Sequence, residues 1–249
     1  LKTLTVIIPC YNEEQGVAHV ISSVPHESLR SLGYEADILV IDNNSTDRTA
    51  SIALEKGARV IHEPKKGKGN AILAGFRNVH PEAAIVVMID GDNSYKANEM
   101  TRLIEPLDSG FSDVILGTRL GGRMASDSMT AFNRAGNWLF TFLVRVVYSG
   151  NVTDVCTGYF AWRREVVDEL QKHIKSNGFS VEMELVTKMA KLGYLMHSFP
   201  ITYDERHGES SLRPIKDGSI ILYTWLRNMF WRPETVKKNE PYNPLQSSR

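Results

Sequence analysis

Short β-branched apolar runs alternate with helical patterns through the first half of this chain. Residues 4–9 form a continuous run closed by Pro9, which predicts a strand buried on both faces. A loop over 10–14 follows. Val17, Val20, Ile21 and Val24 then recur at helical spacing until Pro25 stops them. A second strand is predicted over 36–41, ending at Asp42. Residues 43–47 are dense in capping side chains and open a helix that runs to Gly57. Residues 58–62 give a short third strand, and a basic, glycine-containing loop at 63–70 opens a helix carrying Ile72, Leu73 and Phe76. The run 85–90 is a further strand. A helix with Met100, Leu103, Ile104 and Leu107 and a strand over 113–117 complete this half. Such alternation points to an α/β fold with a mostly parallel central sheet and right-handed crossovers. The loops at 9–13, 42–47 and 90–95 would then open on one edge of that sheet, where ligands bind.

The second half reads differently. Residues 130–150 and 220–232 each suggest a helix rich in aromatic residues and interrupted by arginines, including Arg134, Arg145 and Arg227. Amphipathic segments of this kind lie in a membrane interface, or else pack in a core or a dimer seam. With two of them in one chain, the interface reading is preferred, and a homodimer is kept as a further partner. The polar tail over 237–249 is expected to be loose.

Composition narrows the picture. The chain has 249 residues, 42% hydrophobic and 23% charged, enough for one large α/β domain with a real core. A formal net charge of +0 argues against a general nucleic-acid binder. Cys10 and Cys156 are too few for a disulfide framework or a Cys-rich zinc site. No signal peptide and no apolar run of about 20 residues is visible, so a soluble or peripheral protein is expected.

The chemistry concentrates where the 85–90 strand ends. Asp90 and Asp92, separated by Gly91, can aim oxygen ligands at one hard divalent cation, which would bridge to nucleotide phosphates. Asp, Gly and Asn are also ordinary turn residues. The lysines at 65, 66 and 68 beside a helix start favour an anion, or form a solvated charge run. Neither a P-loop nor a Gly-x-Gly-x-x-Gly follows the first strand, which disfavours an ATPase or a dinucleotide dehydrogenase. Glu182 and Glu184 are acid/base candidates of low weight, because their spacing sends them to different helix faces.

Taken as an ordered set over residues 3–232, these segments resemble family 2 glycosyltransferases of the GT-A fold. Within that family they look most like the dolichyl- and polyprenyl-phosphate sugar synthases of the dolichol-phosphate mannose synthase type. Val6-Ile7-Ile8-Pro9-Cys10-Tyr11-Asn12-Glu13 matches the opening strand and its loop. Asp42-Asn43-Asn44-Ser45-Thr46-Asp47-Arg48-Thr49, Gly67-Lys68-Gly69, Asp90-Gly91-Asp92, Gly117-Thr118-Arg119, Thr157-Gly158-Tyr159 and Arg206-His207-Gly208-Glu209-Ser210-Ser211-Leu212 follow in the family's order.

The resemblance implies one GT-A catalytic domain over 1–232. Residues 1–119 would form its nucleotide-sugar half, 120–232 its acceptor half, and 233–249 a tail. It implies that Pro9, Tyr11, Glu13 and Asp42 hold the nucleotide, with Lys68 and Asp154 also on the donor side. Asp90 and Asp92 would hold Mg2+ or Mn2+, with Ser94 in the place of a metal-shell residue. Arg119 and Arg134 would bind an acceptor phosphate, and Arg206 would close over the donor phosphates. Ser211 departs from the family's lysine, and Asn93 and Tyr95 depart from the mannose synthase pattern, which shifts the expected donor from GDP-mannose towards a UDP-sugar.

The expected activity is inverting, metal-dependent transfer of a hexose to dolichyl or polyprenyl phosphate at the cytoplasmic face of a membrane. A phosphate monoester needs no strong base, since its second pKa is about 6. The rivals are a soluble family 2 enzyme acting on a sugar-phosphoglycerate or polysaccharide acceptor, a nucleotidyltransferase, and a non-catalytic sugar-nucleotide-binding module.

Overall fold

The computed structural model describes residues 1–126, 128–148, 151–208, 212–234 and 236–237. The expected tail, apart from 233, 234, 236 and 237, lies outside these residues, as do Gly150 and Glu209-Ser210-Ser211 of the late motif.

Seven strands form one sheet in the order β3-β2-β1-β4-β6-β5-β7. They are β1 (Lys2–Cys10), β2 (Tyr34–Asp42), β3 (Arg59–His62), β4 (Ala83–Met88), β5 (Val114–Met124), β6 (Phe160–Arg163) and β7 (Met196–Tyr203). All neighbours pair in parallel except β6, which runs antiparallel to both β4 and β5. The helices are α1 (Val17–Ser22), α2 (His26–Ser31), α3 (Thr49–Glu55), α4 (Lys68–Arg77), α5 (Met100–Asp108), α6 (Ala131–Tyr148), α7 (Arg164–Leu170), α8 (Val181–Leu192) and α9 (Pro214–Phe230).

Alternation along β1 divides the core into two layers. Ile7 lies in one layer, with Ala71 and Ile72 of α4 and Val181 of α8. Val6 and Ile8 point the other way, among Val17 and Val20 of α1 and Leu103 of α5. Each such side chain is fully buried, a gain of about 1.5–3 kcal/mol apiece. This double burial explains why the strands read as unbroken apolar runs.

Pro25 both ends α1 and starts α2, whose Leu29 N–H donates to the Pro25 carbonyl. The sequence pattern shows only the stop. Strand β4 ends two residues earlier than expected, at Met88, so Ile89 and Asp90 already belong to the loop. α8 is buried nearly all round, Glu182, Glu184, Thr187 and Lys188 included, so it carries no readable polar stripe.

The two aromatic helices form as expected, though α9 begins at Pro214. Their inner faces bury Asn137, Thr141 and Val144 on α6 and Ile221, Thr224 and Asn228 on α9. Asn228 donates to Thr187 Oγ1 of α8 at 2.8 Å, and the Tyr148 hydroxyl donates to the Trp225 carbonyl at 2.8 Å. Their outer faces leave Trp138, Phe142, Tyr223 and Phe230 exposed. Among the described residues, no helix is long and apolar enough to cross a membrane.

Candidate active site

The carboxyl ends of β1, β2 and β4 open together, as the parallel sheet requires. Each is followed by an asparagine in the left-handed region: Asn12 at φ 56°, Asn44 at φ 62° and Asn93 at φ 62°. Asparagine is one of the few residues that adopts this turn at low cost. The first two turns are tied together. Thr46 N–H donates to Asn12 Oδ1 at 2.8 Å, and Glu13 N–H donates to Thr49 Oγ1 at 2.8 Å. Gly91 lets the third turn press against them, since a Cβ there would lie 2.5 Å from Cys10 Sγ.

A cavity of about 570 Å³ lies at this edge, lined by Pro9, Tyr11, Glu13, Lys68, Asp90 and Asp92 among others. Asn43 shapes its basic rim by accepting from Gly67 N–H at 2.7 Å and donating to the carbonyls of Glu63 and Lys65. Lys66 Nζ lies 2.9 Å from the Tyr11 hydroxyl and 4.6 Å from its ring centre. Asp42 sits just behind, with Oδ2 3.0 Å from His62 Nδ1 and Oδ1 accepting from Ser45 N–H.

The carboxylates are crowded. Lys68 Nζ bridges Asp90 Oδ1 and Glu182 Oε1 at 2.8 Å each. Burial works against that ammonium, but Asp90 and Glu182 outweigh it and hold its pKa well above the ordinary range. Burial pushes the Asp90 carboxyl up, with Lys68 opposing. Burial, then the Asp92 charge, raises Glu13 to about 8. Asp92 Oδ1 accepts from both the backbone N–H and the hydroxyl of Ser94, the latter at 2.5 Å. Ser94 is thus fully buried behind Asp92 and lines neither cavity.

A second cavity of about 540 Å³ lies under α6 and α9 and shares Lys68, Asp90, Asp92, Phe179 and Arg206 with the first. The expected site residues divide here. Arg206 stands between the cavities, with Nη2 3.2 Å from Glu13 Oε1 and 3.4 Å from Asp92 Oδ2. Arg119 is committed elsewhere: it holds Asp154 through two side-chain bonds of 2.8 Å and donates to the Cys156 carbonyl. Asp154 is fully buried and also accepts from Asn137 at 2.7 Å. Arg119 lines the second cavity, and Asp154 lies buried behind it. Arg134 is exposed on α6, with Nη2 3.3 Å from Met124 Sδ. Of the two helix glutamates, Glu182 joins Asp90 and Asp92 in lining the second cavity, whereas Glu184 turns away to Lys188 and Arg227. Phe179, in the wall common to both cavities, has no signal in the sequence.

Residues 5–171 match the model of glycosyl transferase family 2, and the chain belongs to that family. The chain is 34% identical over 219 residues to glycosyltransferase AglJ of Haloferax volcanii, covering 87% of this chain and 69% of that one. It is 33% identical to the dolichyl-phosphate hexose transferase of the same organism, covering 88% and 90%. Its fold superposes with a TM-score of 0.71 on glucosyl-3-phosphoglycerate synthase of Mycobacterium tuberculosis in complex with Mn2+, UDP-glucose and phosphoglyceric acid. That match covers 94% of this chain and 81% of the other at 24% identity, a likeness of fold. The protein is an enzyme of the GT-A, family 2 glycosyltransferase type.

The structural comparison corrects three expectations. The superposed enzymes are glucosyl-3-phosphoglycerate synthases, several of them solved with phosphoglyceric acid, rather than dolichyl- or polyprenyl-phosphate sugar synthases. The closer likeness expected to the lipid-phosphate synthases is therefore replaced by the GT-A family frame. The acceptor present in those structures is phosphoglyceric acid, against the lipid phosphate expected from the sequence. The membrane surface and the homodimer, expected from the two aromatic helices, gain no support from the comparisons. The helices have another physical role, because their inner faces wall the second cavity. Mn2+ is present in several of the superposed structures, in keeping with the metal expected from Asp90 and Asp92.

Proposed function

We propose that residues 1–232 act as one catalytic unit that transfers a hexose from a UDP-sugar to a small phosphorylated acceptor of the phosphoglycerate type, with Mn2+ or Mg2+. The observation that carries this reading is the meeting of two cavities at Lys68, Asp90, Asp92 and Arg206. The first accepts the nucleotide against Pro9, Tyr11 and the Asn43-shaped rim. The second accepts the nucleophile.

The residues fit a divalent ion. Among the described residues, no group of three or more His, Cys, Asp or Glu side chains is placed to hold a metal alone. Asp90 and Asp92 supply hard oxygen donors at the cavity floor, an arrangement that leaves positions for phosphate and water. Asp90 and Asp92 would hold the ion, whose charge would offset that of the leaving diphosphate. Ser94 keeps Asp92 oriented through two hydrogen bonds. Lys68 fixes Asp90, and Arg206 stands ready for phosphate oxygens. A hydroxyl acceptor, unlike a phosphate, gains from a positioned carboxylate. Besides Asp90 and Asp92, the second cavity is lined by the carboxylate of Glu182, which Lys68 holds beside the shared wall. Asn133 and Arg206 are polar groups available there to an acceptor phosphate.

The test is a transfer assay with UDP-glucose, Mn2+ and 3-phosphoglycerate, with EDTA and a short polyprenyl phosphate as parallel arms. Metal-dependent release of UDP with formation of a glucosyl phosphoglycerate is expected, and Asp92→Ala should abolish it while the fold remains intact. Glycolipid formation in the polyprenyl arm without any soluble product would overturn the acceptor assignment.

A further inference from the structure

Arg206 reaches the carboxylates because its backbone is held in place. Asp204 N–H donates to the Ser94 carbonyl at 2.9 Å and His207 N–H to the Asp92 carbonyl at 2.8 Å. Lys96 pairs with Asp204 at 2.6 Å, and the His207 ring meets His19 edge-on at 5.5 Å. Segment 204–207 is therefore laid along the turn that carries Asp92. Its guanidinium falls between Asp92 and Glu13.

The contact itself is poor. A guanidinium beside carboxylates usually forms parallel paired bonds of about 2.7–2.9 Å. Here one nitrogen serves both partners, at 3.2 and 3.4 Å. Arg206 Nε and Glu13 Oε2 are both buried with no hydrogen-bond partner. Two orphaned polar atoms at one contact mark a place where another group completes the bonding.

We infer that Arg206, lying against Asp92 and the Glu13 carboxyl, is the resident cation of Asp92 and makes metal entry conditional on the nucleotide diphosphate. The guanidinium and a divalent ion compete for Asp92. Metal alone must displace a positive charge that has no better partner. A diphosphate offers Arg206 that partner, its free Nε included, and releases Asp92 to the metal. Metal and nucleotide therefore bind with positive coupling, which by linkage is equal in both directions. The inference rests on the metal site proposed above but not on the choice of acceptor.

The test is Mn2+ binding to the full chain, followed by the electron paramagnetic resonance signal of free Mn2+, with and without UDP. Wild type is expected to bind Mn2+ weakly alone and more tightly with UDP, by a factor in the usual coupling range of about 5- to 150-fold. Arg206→Gln should bind Mn2+ alone more tightly, and its enhancement by UDP should shrink by a comparable factor. Arg206→Lys, which keeps the charge, should stay close to wild type. Thermal melts confirm that each variant is folded. If Arg206→Gln binds Mn2+ alone no more tightly than wild type, the coupling is refuted. If wild type binds no Mn2+ even with UDP, the metal site itself is refuted.

Discussion

Gly158→Ala tests the geometry of the site with one methyl group. Gly158 lies directly behind Asp90: a Cβ built there sits 2.0 Å from Asp90 Oδ2 and 2.4 Å from its Cγ. Ordinary contact begins near 3.4 Å, so the carboxylate must retreat by more than about 1 Å. Asp has too short a side chain to do this while keeping its 2.8 Å contact with Lys68. Overpacking of this kind costs about 1–3 kcal/mol. At about 2–4 °C per kcal/mol for a chain of this size, the melting temperature should fall by several degrees without loss of the fold. Activity should suffer far more, since a misplacement of about 1 Å at a reacting centre costs on the order of 10²-fold. The assay is Mn2+-dependent turnover of UDP-glucose, paired with a thermal melt. A folded Gly158→Ala variant with wild-type turnover would refute the placement of Asp90 at the reacting centre.

Two further changes probe the buried charges. Asp154→Ala should lower stability by about 3–5 kcal/mol in denaturant melts, because it strands Arg119 buried beside Asn137 without its counterion; a change below 1 kcal/mol would show that Arg119 reaches water. Glu13 titrates near 8 in the folded chain against an ordinary value of 4.5. The folded state thus holds a proton that the unfolded chain has lost, so this group's contribution to stability declines as pH rises from about 4.5 to about 8 and is flat above that. Glu13→Gln should remove that decline, read as urea midpoints at pH 5.5 and 8; parallel slopes in variant and wild type would contradict it.

Much of the half that carries β1 to β4 is legible in the sequence alone. Doubly buried strands of a parallel sheet must be apolar throughout, so β1, β2 and β4 announce themselves, and the polar residues that break them must lie at one edge. The Asp90–Asp92 pair, the loop after Pro9 and the Lys68 helix start could therefore be placed together before any coordinates. Tertiary structure alone decided which of these groups remain free. Arg119 and Arg134 carry the same charge in the sequence, yet one is locked to a buried aspartate and the other lies exposed on α6. Glu182 and Glu184 differ by two positions, and only the placement of α8 in the fold brings the first to Lys68 of α4 and the second to Arg227 of α9. The aromatic runs of α6 and α9 suggested a membrane surface because periodicity does not show that part of each helix lines a cavity while Trp138, Phe142, Tyr223 and Phe230 stay exposed. The second cavity is bounded by side chains from distant segments, Lys68, Phe140, Phe179 and Ile221 among them, and such long-range closure leaves no local pattern to read.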